Sequence, residues 1–159
     1  MENAAIVHTQ SLSLQPRNGH SVPFIQLRQS FPSRVRAISP FVDQLMRFIL
    51  KFRRADGSET DIDLALHEAL ANAVIHGNGE SSYKRIYVTC RCYMDGEVSI
   101  TVRDEGRGCD SSAVPDPTFR GHLLLTHGRG IYLMKVLMDE VCFEERGAAL
   151  MIRKKSNAS

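Results

Sequence analysis

The chain has 159 residues, 43% hydrophobic and 24% charged, which suits one domain with a real core. Its net charge of +2 gives no electrostatic footprint for nucleic acid. Apolar stretches such as 69–75 fall far short of a membrane span, so neither nucleic acid nor a membrane is expected as a partner.

Residues 1–20 are polar and lack a basic segment followed by an apolar run, so they read as a disordered tail rather than a secretory signal. A single domain is expected over 21–155, with 154–159 as a second loose end. Val22 to Phe31, with Pro23 near its start, has the pattern of an edge strand. Ser39-Pro40 then suggests an N-cap and a first helical residue. Phe41, Leu45, Phe48 or Ile49, and Phe52 continue at helical spacing. Past an Asp56-Gly57 loop, Thr60 and Asp63 have the form of a capping box. The helix they open runs through Leu66, Leu70, Ala73 and Val74 and ends at Gly77, a natural C′ residue.

A hairpin follows. Ile86, Val88, Cys90 and Cys92 alternate with polar residues up to the Asp95-Gly96 turn pair, and Val98, Ile100 and Val102 alternate after it. From Gly106 to Gly128 no period is sustained, and a loop of that length is usually functional. A short helix over Ile131 to Met138 precedes two strands, Val141 to Glu144 and Ala148 to Arg153, paired around Arg146-Gly147. The pattern predicts an α+β fold, a two-layer sandwich of a mostly antiparallel sheet backed by helices. The four cysteines, Cys90, Cys92, Cys109 and Cys142, include no CxxC, and no histidine pair has zinc-finger spacing. Buried free thiols in a reducing, cytoplasmic compartment are expected.

Three polar islands interrupt the apolar pattern. Glu68, Asn72 and His76 stand four apart on the second helix, flanked by small Ala65, Ala69 and Ala71. This stripe is open to two readings, a solvated face or a ligand site. As a site it suits a magnesium phosphate, because magnesium takes hard oxygen ligands such as a carboxamide and a carboxylate can accept a proton. Asp104-Glu-Gly106-Arg-Gly108 is either a strand-ending turn or an acceptor for an exocyclic amino group, with glycines allowing close approach. Gly128-Arg129-Gly130 precedes the expected third helix, where backbone N–H groups favour anions. It is neither a Walker loop nor a dinucleotide fingerprint, since Leu133 stands in place of the third glycine.

Read in order, these islands resemble the motifs of the GHKL (Bergerat-fold) ATPase superfamily. Glu68-x-x-x-Asn72-Ala-x-x-His76-Gly77 is similar to its N box, and Asp104-x-Gly106-x-Gly108 and Gly128-x-Gly130 to its two glycine boxes. The similarity covers roughly Ser30 to Lys154. Within the superfamily the short chain is most similar to bacterial anti-sigma-factor serine kinases. The resemblance implies ATP and Mg2+ as cofactors, Glu68 as general base, Asn72 as magnesium ligand and Asp104 as partner of the adenine amino group. It implies that Gly106 and Gly108 shape the base pocket, and that His76 and Gly77 belong to the nucleotide site. Thr126, His127, Gly128, Arg129 and Gly130 would lie along the phosphates under a mobile lid, 110–127. An anti-anti-sigma (STAS-type) protein phosphorylated on serine and a sigma factor are the implied partners, and related kinases often dimerise. Two departures stand out. Where the family commonly carries a Gly-Thr pair supporting the adenine-binding Asp, this chain has Gly147-Ala148, which predicts weaker nucleotide binding. Thr126-His127 occupy the place where related kinases often carry an arginine near the γ-phosphate, leaving Arg129 or Arg120 to substitute.

Overall fold

The computed structural model describes residues 8–11, 23–108 and 126–157, which form two layers. One layer is a six-stranded sheet of β1 (His8–Ser11), β2 (Pro23–Pro32), β3 (Arg85–Tyr93), β4 (Val98–Arg103), β5 (Glu140–Glu144) and β6 (Ala149–Lys154). Its spatial order is β1-β2-β3-β4-β6-β5, and every neighbouring pair is antiparallel. The other layer is α1 (Ile38–Phe52), α2 (Glu59–Asn72) and α3 (Thr126–Leu137). This is the α+β sandwich that the alternating and helical periods imply. Leu27, Cys90, Ile100 and Ile152 pair in one cross-strand row and are all buried. Leu45 and Ile49 of α1 and Leu66 and Leu70 of α2 belong to the same apolar cluster. Cys90 and Cys92 share that covered face as free thiols, whereas Cys109 lies outside the described residues. Among the described residues no helix is long and apolar enough to cross a membrane.

Several boundaries differ from the sequence expectations, each for a tertiary reason. β2 is no edge strand, because β1 pairs along its outer side from within the stretch expected as a structureless tail. The remainder of 1–20 lies outside the described residues. α1 begins at Ile38 behind a short turn, Val35–Ala37, so Ala37 rather than Ser39 caps it. In α2 the cap is Ser58, and the Thr60–Asp63 box does not form a capping bond. Asp56 takes over that end: its N–H donates to Glu59 Oε1 at 2.8 Å, and its carboxylate accepts the Ser58 hydroxyl at 2.6 Å.

Asp56 is fixed in turn by Arg53, a residue only 4% exposed. Arg53 donates twice to Asp56, at 2.8 and 2.9 Å, and also to the carbonyls of Gly96 and Lys155 at 2.8 and 2.9 Å. Of the C-terminal stretch expected to be loose, residues 154–157 are therefore held. Asn157 N–H donates to Asp56 at 2.7 Å, and Lys154 Nζ donates to Asp61 at 3.1 Å and to the Leu137 carbonyl at 2.6 Å.

Candidate functional site

The seam between α2 and α3 carries the first half of the site. Burial of Ala65, Leu66, Ala69 and Leu70 on α2 and of Ile131 and Met134 on α3 presses the two helices together. Glu68 and Asn72 sit half-buried at the border of that contact, one turn apart. Facing them on α3 is Gly130. A Cβ there would stand 2.6 Å from Glu68 Oε2 and 3.6 Å from both terminal atoms of Asn72. The missing side chain is thus the space into which the carboxylate and the carboxamide project. Neither group has a hydrogen-bond partner among the described residues, an arrangement that costs free energy unless solvent or a ligand completes it. A carboxylate and an amide oxygen left open at one place form a donor set that fits a magnesium-bound phosphate.

His76 does not continue this line. Ala73–Gly77 form a π-turn, and the Asn78 N–H reaches back five residues to the Ala73 carbonyl at 2.8 Å. The wider pitch rotates His76 out of the Glu68–Asn72 row and leaves it exposed. Gly77, expected as a left-handed C′ residue, has no positive φ. Its glycine is required for a different reason: a Cβ would overlap the Asp104 carboxylate and lie 2.9 Å from Asp104 Cβ. A Cβ on Gly106 would in turn overlap the Gly77 carbonyl. The helix end and the turn after β4 therefore interlock through two glycines.

Asp104 stands at this junction, partly buried, with its N–H donating to the Ala148 carbonyl at 3.0 Å. Its Oδ1 accepts the Gly106 N–H at 2.7 Å, and among the described residues no donor reaches Oδ2. Burial pushes the Asp104 carboxyl up, opposed by the Gly106 N–H and the charge of Lys84. Position 148 is thus adjacent to Asp104 through the backbone, and its methyl group offers no hydroxyl. Gly108 adopts φ 74°, and a Cβ there would overlap the Arg146 carbonyl. That carbonyl belongs to a left-handed run, Glu145, Arg146 and Gly147 with φ 50, 56 and 87°, which turns β5 into β6. Strain of this kind clusters at functional sites.

The second glycine pair lies inside α3 rather than before it, since the helix begins at Thr126 instead of Ile131. Gly128 is still in the first turn, where a helix leaves its N–H groups without internal partners. Gly130 is past that turn and contributes its absent side chain. Arg129 is exposed, and the side chains of Thr126 and His127 lie outside the described residues, as do residues 110–125 of the lid expected over 110–127. The structure thus brings Glu68, Asn72 and Gly130 together, and Gly77, Asp104 and Gly106 together, at two points along one helix. Glu68 and Gly77 are nine positions apart along α2 and its π-turn, about 13 Å of rise. One residue of this region has no motif to announce it. Asn78, only 3% exposed, ties the junction together through its side chain.

A two-layer α+β sandwich with an acid–amide pair on one helix and interlocked glycines at its end has the architecture of a Bergerat-type ATPase domain. Residues 31–154 match the histidine kinase-like ATPase domain, and the chain belongs to that family. It is similar to the anti-sigma F factor of Heyndrickxia coagulans, 37% identical over 92 residues. That stretch is 55% of this chain and 63% of the relative, a little under two thirds of its length. The anti-sigma F factor of Priestia megaterium is 32% identical over 100 residues, 60% of this chain and 68% of that protein. A third relative, the anti-sigma F factor of Clostridium botulinum (strain Eklund 17B / Type B), is 29% identical over 147 residues. There the alignment spans 88% of this chain and 96% of the relative.

Proposed function

We propose that this protein is an ATP-binding anti-sigma regulatory factor of the cytoplasm, with protein serine kinase activity toward an anti-anti-sigma partner. The observation that carries the proposal is the open acid–amide pair over Gly130. The rise from Glu68 to Gly77 matches an extended nucleotide, with phosphates toward Gly130 and base toward Asp104. Asp104 Oδ2 accepts the base amino group, and Gly77 and Gly106 let the ring approach. Asn72 holds magnesium, which supplies charge neutralisation on the phosphates when bound. Glu68 accepts the proton of the partner's serine as its Oγ attacks the γ-phosphorus and ADP leaves. Gly128 and Arg129 provide an amide and a charge on the phosphate side.

A second function is favoured by Ala148, which lacks a hydroxyl beside Asp104, and by the absence of arginine at 126–127. The protein would then sequester a regulator in a nucleotide-gated manner without phosphoryl transfer. Labelled ATP and a candidate anti-anti-sigma protein distinguish the two. The kinase transfers label, and Glu68→Ala stops transfer while sparing Mg-ATP binding; a pull-down that needs ATP with no labelled partner supports sequestration alone.

A further inference from the structure

Asp104 can discriminate between bases only if its carboxylate is held still. Among the described residues its own side chain has one tether, the Gly106 N–H, and the backbone that carries it supplies the rest. That backbone is clamped from two sides. On the inner side, Asn78 Oδ1 accepts the Glu105 N–H at 2.8 Å while Asn78 Nδ2 donates to the Arg85 carbonyl at 3.0 Å. On the outer side, the Glu105 carboxylate accepts the Arg85 N–H at 2.7 Å and the Tyr87 hydroxyl at 3.1 Å. One buried carboxamide thus joins the π-turn after α2, the start of β3 and the turn after β4. Those three segments meet at Asp104. A buried amide whose groups are paired with separate backbone segments fixes their relative position.

Resting on the ATP-binding proposal above, we infer that Asn78 is the positioning residue of this site. Together with Glu105 it sets preference for a 6-amino purine over a 6-oxo purine. A fixed carboxylate accepts from the amino group and is left facing a carbonyl oxygen in the 6-oxo case, which is a repulsive contact. A carboxylate on a loosened turn can retreat from that carbonyl, so the penalty falls and the preference narrows.

The test is calorimetric titration of Mg-ATP and Mg-ITP into the wild type, Asn78→Ala, Glu105→Ala and Glu105→Gln, with a thermal melt of each. Wild type should favour ATP, and Asn78→Ala should narrow the ATP/ITP ratio by about tenfold, the worth of one hydrogen bond. Glu105→Ala should narrow it less. Glu105→Gln should restore it, because the amide oxygen still accepts the Arg85 N–H. If Asn78→Ala weakens both nucleotides equally and leaves the ratio intact, its role is only structural and the inference fails. Should Asn78→Ala not fold, the exposed Glu105 variants decide: an unchanged ratio in Glu105→Ala overturns the inference. Wild type that binds neither nucleotide overturns the ATP-binding proposal itself.

Discussion

Gly130→Ala separates the proposed chemistry from the fold. Gly130 lies within α3 without a positive φ, so the backbone accepts alanine, and helix propensity gains up to about 1 kcal/mol. The new Cβ would stand 2.6 Å from Glu68 Oε2, whereas ordinary contact begins at 3.4 Å, so the carboxylate must retreat by about 0.8 Å. Oε2 ends a flexible side chain, and the protein absorbs the move cheaply. Asn72, at 3.6 Å, is already in ordinary contact and stays where it is. Displacing a reacting group by 1 Å costs about a hundredfold in rate. The variant should therefore melt at or above the wild-type temperature and bind Mg-ATP within a few-fold of wild type. Phosphoryl transfer to the anti-anti-sigma partner should fall by about ten- to a hundredfold. Single-turnover transfer with labelled ATP, alongside calorimetry and a melt, measures all three. A folded Gly130→Ala that transfers phosphate at the wild-type rate would refute the assignment of Glu68 as the base.

Gly106→Ala meets a backbone carbonyl, that of Gly77, which cannot swing aside. It should cost about 1–3 kcal/mol in urea denaturation and weaken Mg-ATP binding. Arg53→Ala leaves Asp56 buried without its cation and should cost about 3–5 kcal/mol in the same assay. Burial pushes the Asp56 carboxyl up, but the Ser58, Asn157 and Arg53 hydrogen bonds outweigh it and hold it well below the usual carboxylate range. Its stabilisation is thus fully present above the unfolded value of about 4 and is lost as pH falls below it. Asp56→Asn should flatten that acid limb in pH-dependent melts. Ala148→Thr restores a hydroxyl beside Asp104, and calorimetry should find Mg-ATP bound several-fold more tightly, by about the worth of one hydrogen bond.

The hairpin of β3 and β4 was legible because period-two alternation and Asp95-Gly96 are local signals that the buried face reinforces. The acid–amide pair was legible because α2 is a regular helix through Asn72. Beyond that residue the local code runs out. A π-turn has no compositional signature, so Gly77 looks like a cap when its role is to make room for Asp104, and Asn78 looks like loop. Two glycines at 128 and 130 argue against a helix by propensity, yet packing against α2 extends α3 over them. The N-terminal strand and the anchored residues 154–157 depend on partners distant in sequence. His8 pairs with Arg28, and Asn157 uses a backbone N–H that any residue possesses. Signals of that kind are absent from composition and period alike.

The central proposition is that α2, with Glu68 and Asn72, and the turn after β4, with Asp104, present magnesium-phosphate and adenine contacts to the same nucleotide. Its most direct test is titration of Mg-ATP into the wild type and Asp104→Asn in one calorimeter. One saturable site in the wild type, weakened at least tenfold in the variant, is the expected result. Equal affinity in both proteins, or no binding heat in the wild type, would contradict it.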